Sequence, residues 1–334
     1  MHRLALLLPA RPRPGADGSG HVGLSRGCAR LLARADVRLT AAPGQREQLR
    51  RWFELSDSGW PMAAITRQLD VGDAQGAIWL RADPAFVKAD INGGRMLACG
   101  TLGLDADSAA SLVEALQPMF AEAGCPISAP APERWYLRLP VDSTWPQCSD
   151  PEDALGDDLI DHLPGGPAAR RWRVLMNEAQ IILHTHPINA RRSAEGAIPV
   201  NSLWFWGAGS LPERIASRVA AVHSAASDVV ALARLAGLRE RRPGSAWTAS
   251  DRAALAEVGP GDRPGRSSIL IDLRHYRAWS SLQQDWLEPL LADLVYGRLA
   301  GLELDCADGS GFRLERRHRW RFWRRPLLDF SRPA

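Results

Sequence analysis

Short apolar runs alternate with helical periods along this chain, and that alternation limits the fold more than any other feature. "RLALLL" near the start and "SSILIDL" at 267–273 are aliphatic and too short for core helices, so they read as strands. "SDVVALARLAGL" (227–238) and "WSSLQQDWLEPLLADLVYG" (279–297) read as helices, the second kinked near Pro289, which lacks a backbone donor. The alternation predicts an α/β protein with a mostly parallel central sheet flanked by helices. "GLELDC" and "FRLERRHRW" flank the turn "ADGSG", so a C-terminal antiparallel hairpin should close the sheet.

The earlier part of the chain is read in the same way. "AIWLRAD" (77–83) and "RMLACG" (95–100) are strands separated by the turn signal "INGG". A helix starts at Asp105, ends at Gly124 and buries Leu112, Val113, Leu116 and Phe120, with a kink at Pro118. "RWYLRLP" (134–140) alternates like a strand. Residues 141–166 are rich in Pro, Asp and Gly. They are the expected boundary between an N-terminal α/β portion, 1–150, and a C-terminal one, 151–334, unless they form a long loop of one continuous domain. From Pro167 to Pro187 the spacing of Trp172, Leu175, Met176, Ala179 and Ile182 or Leu183 predicts an amphipathic helix.

Bulk properties exclude several classes. The net charge is only +3 over 334 residues, so a polyanion partner would need a local site. The five cysteines are scattered and form no C-x-x-C, which argues against a disulfide framework or a cysteine zinc site. "LALLLPA" is shorter than the roughly 20 residues that cross a bilayer, and no small-x-small cleavage site follows. A cytoplasmic location without a transmembrane segment is therefore expected.

Four stretches carry candidate chemistry. In "VNSLWFWGAG" (200–209), Leu203 and Phe205 face one way while Ser202, Trp204 and Trp206 face the other, so both faces should be buried. Gly207 and Gly209 then fall at the carboxyl end of a central strand, where α/β proteins gather ligands. A ligand-lining turn and a plain tight turn stand level there. In "NEAQIILHTHPINARR" (177–192), His184 and His186 lack a third metal ligand at a standard spacing. A polar pocket wall with Glu178, Asn189 and Asn201 is the preferred reading. "WLRADP" (79–84) places Arg81 and Asp83 at a strand end, with a structural ion pair slightly favoured over a ligand site. "RLERRHRWRFWRRP" (313–326) interleaves seven arginines with Trp320, Phe322 and Trp323. Nucleic acid or an anionic membrane could take up such a pattern. An edge strand guarded by charge, with its aromatics packed inward, is favoured.

Together "LRADP", "RWYLRLP", "LMNEAQIILHTHPIN", "PVNSLWFWGAG" and "RWRFWRR" resemble the bacterial RpfE-type regulatory protein family, often labelled phosphoglycerate-mutase-like. The similarity is clearest from about residue 78 and most specific over 167–209, where Gly207-Ala208-Gly209 replaces three glycines. The label implies kinship with cofactor-independent phosphoglycerate mutases and the alkaline phosphatase-like fold. Those enzymes use two metals held by Asp and His, beside a Ser or Thr nucleophile. Here the first strand ends in Pro9-Ala10 rather than Asp, "LELDCADGSG" has no His, and His275 stands three residues after Asp272. The resemblance therefore implies a degenerate alkaline phosphatase-like domain. The expected function is a non-catalytic cytoplasmic regulatory or binding protein, without a cofactor. It would hold a small anionic ligand, or meet a protein partner, at the residues named above around the 202–206 strand. The alternative is a metal-dependent phosphoglycerate mutase or phosphotransferase with a rearranged site, and only this alternative calls for a divalent metal.

Overall fold

The computed structural model describes residues 2–11, 23–38, 41–56, 59–90, 93–145, 147–258, 269–327 and 330. Ile91 and Asn92 of the "INGG" turn, and the first two residues of "SSILIDL", lie outside them. The chain forms two compact units. One combines Met1–Glu54 with Arg214–Ala334, and the other is Leu55–Glu213. The 1–150 and 151–334 portions expected from composition correspond to neither unit.

The first unit is the α/β portion that the alternation predicts. Its seven-stranded sheet is centred on His2–Leu8. That strand pairs in parallel with Ile269–Asp272 on one side and Leu299–Cys306 on the other. Ala221–His223 continues the parallel set, followed by Arg239–Arg241. Gly311–Glu315 returns antiparallel to Leu299–Cys306, as the Asp-Gly turn signal requires, and Asp36–Arg38 adds the outer strand. The run Leu4–Leu8 is fully buried because helices cover both faces of a parallel sheet. Leu6, Ile271 and Leu304 pack there with Trp286, Leu290 and Leu294.

The kink near Pro289 takes a specific form. Helix Trp279–Leu282 passes into a π-helical turn, Gln283–Leu287, and then into helix Glu288–Val295. Proline sits in the first turn of the last piece, where its missing donor matters least.

The second unit is built differently. Its five strands are all antiparallel, and the 13-residue strand Ile78–Asp90 is the hub. It pairs with Gly93–Cys99, Arg134–Leu139 and Ser202–Gly209, and Ile127–Ala131 pairs with Arg134–Leu139. Helices Ala106–Glu122 and Ala169–Thr185 cover one face with the residues their spacing selects. Phe205 is the centre of that core, with Trp172 at 5.2 Å and Phe120 at 6.4 Å, both edge-to-face. Each such ring contributes about 1.5–3 kcal/mol by leaving water.

Residues 141–166 are not a linker. They cross the other face of the second unit's sheet, where Leu155 bridges Met96, Arg95 bridges Asp158 and Ala154 is fully buried. Trp204 donates its indole N–H to the Ser149 carbonyl at 3.1 Å. A few anchors in a polar stretch are enough to hold it.

The arginine-rich C-terminal stretch also departs from expectation. After the hairpin strand it forms a 3₁₀-helical turn, Arg316–Trp320. Trp320, Phe322 and Trp323 are 64%, 77% and 69% exposed rather than packed inward. His318 takes the buried position instead. Arg321 and Arg324 reach back to the Arg34, Ala33 and Ala35 carbonyls, which turns the aromatics outward.

Candidate functional site

The predicted site residues all fall in the second unit, and its strand directions change their meaning. Ser202–Gly209 runs antiparallel to Ile78–Asp90, so its end is not the carboxyl edge of a parallel sheet. The alternation of faces is as expected: Leu203 and Phe205 enter the helix-covered core, and Trp204 and Trp206 enter the opposite cluster. Gly207 and Gly209 lie within the strand with φ of 66° and 144°. A β-carbon on Gly207 would sit 3.1 Å from the Ala63 nitrogen, and one on Gly209 would sit 2.7 Å from Pro61 Cβ. These glycines let the start of helix Met62–Asp70 approach the strand. Gly209→Val should lower stability by about 1–3 kcal/mol, through left-handed strain and the clash, read as a lower thermal midpoint.

Arg81 and Asp83 form a buried bidentate pair, 5% and 2% exposed, with both N–O distances 2.8 Å. Arg81 Nη1 donates to Thr66 Oγ1 at 3.1 Å. Asp83 accepts the Trp206 indole N–H at 2.7 Å and the Trp135 backbone N–H at 3.3 Å. Burial pushes the Asp83 carboxyl up from its ordinary value, and these donors oppose it. The guanidinium also lies over Tyr136 and Trp206, at 5.3 and 5.1 Å from the ring centres. Tyr136 donates to Asp70 at 2.6 Å, and Arg134 grips the same carboxylate at 2.7 and 2.8 Å. This is a desolvated charge network whose fork and carboxylate are filled by the protein itself.

The remaining predicted residues are placed apart in role. Asn201 pairs with Val87 as a peptide would, accepting at 2.8 Å and donating at 2.7 Å. Asn189 does the same with Val200, at 2.8 and 2.6 Å, and also donates to the Leu183 carbonyl. His186 caps helix Pro187–Ala194 by accepting from the Ile188 N–H. His184 and Glu178 are exposed on helix Ala169–Thr185. A depression of about 260 Å³ in this unit is lined by other residues, Arg138 and Pro126 among them. The structure thus joins Arg81, Asp83 and Trp206, and it ties both asparagines into the backbone.

Sequence reasoning missed a second constellation, at the carboxyl edge of the parallel sheet in the first unit. Asp272 ends strand Ile269–Asp272 and is 4% exposed. Arg274 wraps back onto it, with Nε at 2.9 Å and Nη2 at 3.0 Å. Ser224, just after Ala221–His223, donates to the same carboxylate at 2.8 Å. Burial alone would raise the Asp272 carboxyl, but Arg274 and these hydrogen bonds hold it below its ordinary value. Arg274 Nη1 donates to Gln45 Oε1 at 2.9 Å. Its Nη2 also reaches Asp228, in the first turn of helix Ser227–Leu235, at 3.2 and 3.5 Å.

Two strands along the same edge, Asp305 is fully buried beneath Arg51, at 2.7–3.1 Å, and the Trp52 indole at 2.8 Å. The readable signal was an acidic residue closing each aliphatic strand: "ILID" before Leu273-Arg274, and "LELD" before Cys306.

No family model matches the chain. A stretch of 67 residues, 20% of this chain, is 46% identical to a probable 2,3-bisphosphoglycerate-independent phosphoglycerate mutase of Geobacter sulfurreducens. A match of the same length is 40% identical to the 2,3-bisphosphoglycerate-independent phosphoglycerate mutase of Methanosarcina barkeri. The matched stretch spans only 16% and 17% of those two proteins. Among solved structures, the cofactor-independent phosphoglycerate mutase from Thermoplasma acidophilum aligns with a TM-score of 0.44 at 17% identity, covering 94% of this chain and 89% of that one. The PH0037 protein from Pyrococcus horikoshii aligns at 0.46 and 14%, covering 94% and 87%.

These relatives correct three expectations. The similarity is to named mutases, so assignment to a regulatory RpfE-type family is withdrawn. The non-catalytic reading falls with it. So does the expectation of no cofactor, because the 2,3-bisphosphoglycerate-independent mutases that the stretch resembles are metal-dependent enzymes.

The described residues do not fit a two-metal clamp, however. Among the described residues, no group of three or more His, Cys, Asp or Glu is placed to hold a metal ion. At the sheet edge, Asp272 and Asp305 face guanidinium groups where a cation would stand.

Proposed function

We propose that the protein is an enzyme of the phosphoglycerate-mutase type, moving a phosphoryl group on a small phosphorylated hydroxy acid, with a site rearranged around Arg274. The 46% identity to a mutase over 67 residues carries this reading. The carboxyl edge of the parallel sheet supports it as the place where an α/β fold collects ligands.

Arg274 gives that edge a fixed anion anchor. Asp272, held in turn by Ser224, fixes one side of its fork, and Gln45 takes Nη1. The Asp228 contact at 3.2 Å is longer, and the Asp228 side chain is 26% exposed. A phosphoryl or carboxylate oxygen would replace Asp228 on Nη2 without disturbing Asp272. Such a charge-assisted contact is roughly twice as strong as a neutral hydrogen bond. The Asp228 charge would then exclude weak anions until a better one arrives.

Calorimetric titration of the full chain with 3-phosphoglycerate tests the substrate class. Saturable binding, displaced by 2-phosphoglycerate and not by glycerate, is expected. Heats no larger than those of inorganic phosphate at the same ionic strength would overturn it.

A further inference from the structure

We propose that the segment around the 3₁₀ turn Arg316–Trp320 docks the first unit on the surface of an anionic lipid bilayer. Trp320, Phe322 and Trp323 are 64%, 77% and 69% exposed, three large apolar rings on one short stretch of surface. Tyr296, 72% exposed, follows Val295, whose carbonyl accepts from Arg319. Scattered exposed rings are ordinary, but a cluster of this kind marks an interaction surface.

The surrounding charge names the partner. Between Arg313 and Pro326 the chain carries seven arginines against one acid, Glu315, although its overall net charge is only +3. Arg316, Arg317, Arg324 and Arg325 are exposed around the rings. Tryptophan and tyrosine settle at the headgroup level of a bilayer, and basic side chains beside them are drawn to anionic lipid.

The ring geometry favours a bilayer over single-stranded nucleic acid. Phe322 and Trp323 pack edge-to-face on each other, 5.6 Å apart with an interplanar angle of 78°. They make an apolar knob rather than a ladder of parallel faces for successive bases. One face of Trp320 is already covered by the Arg319 guanidinium at 4.8 Å.

The segment is also held firmly enough to act as a unit. Arg321 binds Asp36 at 2.5 Å, Arg34 donates to the Arg319 carbonyl at 2.5 Å, and the Leu327 N–H donates to the Ala29 carbonyl at 2.9 Å. Among the described residues no helix is long and apolar enough to cross a membrane, so this surface would lie on the bilayer.

Flotation of the full chain with vesicles tests the proposal. Phosphatidylcholine vesicles containing phosphatidylserine should carry the protein at least about tenfold better than phosphatidylcholine alone. Trp320→Ser/Phe322→Ser/Trp323→Ser should lose about tenfold or more of that binding. Arg316→Glu/Arg317→Glu should lose about fivefold per charge removed. Unchanged circular dichroism of these surface variants shows that they fold. Two results would overturn the proposal: no flotation with anionic vesicles at low salt, or the triple aromatic variant floating as well as the parent. Tighter binding to a single-stranded oligonucleotide than to anionic vesicles would overturn it in favour of nucleic acid.

Discussion

Asp83→Ala should lower the stability of the second unit by about 3–5 kcal/mol, measured by urea unfolding, because it leaves the buried Arg81 guanidinium without its carboxylate. The effect is large because water cannot reach the site to compensate. Two donors, the Trp206 indole N–H and the Trp135 backbone N–H, lose their acceptor at the same time. The double replacement Arg81→Met/Asp83→Leu should recover most of the loss, since a buried ion pair exchanged for apolar side chains of similar size is often close to neutral. A single replacement that costs under about 1 kcal/mol would place the pair in solvent-like surroundings.

The second large effect concerns the anchor in the first unit. Asp228→Asn should tighten 3-phosphoglycerate binding by about tenfold, equivalent to ~1.4 kcal/mol, because it removes the charge that competes for Arg274. Arg274→Gln should weaken binding by about 10–100-fold, the range for a hydrogen bond to a charged group. The opposite signs matter. A merely structural role for the cluster would leave Asp228→Asn neutral or weaken binding with it. Asp228 is part-exposed, so its loss leaves no unpaired buried charge. Arg274→Gln strands the buried Asp272 carboxylate, and its titration is therefore read together with its melting curve.

Periodicity made most elements of the fold legible before any coordinates. Leu112, Leu116 and Phe120 on one helix, and Trp172, Met176 and Ala179 on the other, are buried as their spacing requires. The same is true of the parallel aliphatic strands and of the hairpin at Asp308-Gly309. Strand direction was not legible. The "SLWFWGAG" pattern reports that both faces are covered, but it is the same whether the neighbour runs parallel or antiparallel. That one ambiguity is why the end of strand 202–206 reads as the carboxyl edge of a parallel sheet, which it is not. Domain layout was hidden for a related reason. Leu55–Glu213 interrupts the first unit, and no local pattern records that His2–Leu8 pairs with strands about 265 and 298 residues later.

The site was legible in part. Arg81-x-Asp83 and Asp272-x-Arg274 are the same local device, a charged pair folded back at spacing two, and only the first stands out as a site in the sequence. Asn189 and Asn201 looked like ligand donors because an amide side chain offers one donor face and one acceptor. The chain uses that same pairing to continue its own strands.

The activity proposed for this chain is phosphoryl movement on a phosphoglycerate. Phosphorus NMR of the full chain incubated with 3-phosphoglycerate, with and without added manganese, tests it most directly. A 2-phosphoglycerate resonance should grow until the two isomers reach equilibrium, and Arg274→Gln should slow its appearance. A spectrum of 3-phosphoglycerate that stays unchanged in both conditions, with the protein folded and at stoichiometric concentration, would contradict it.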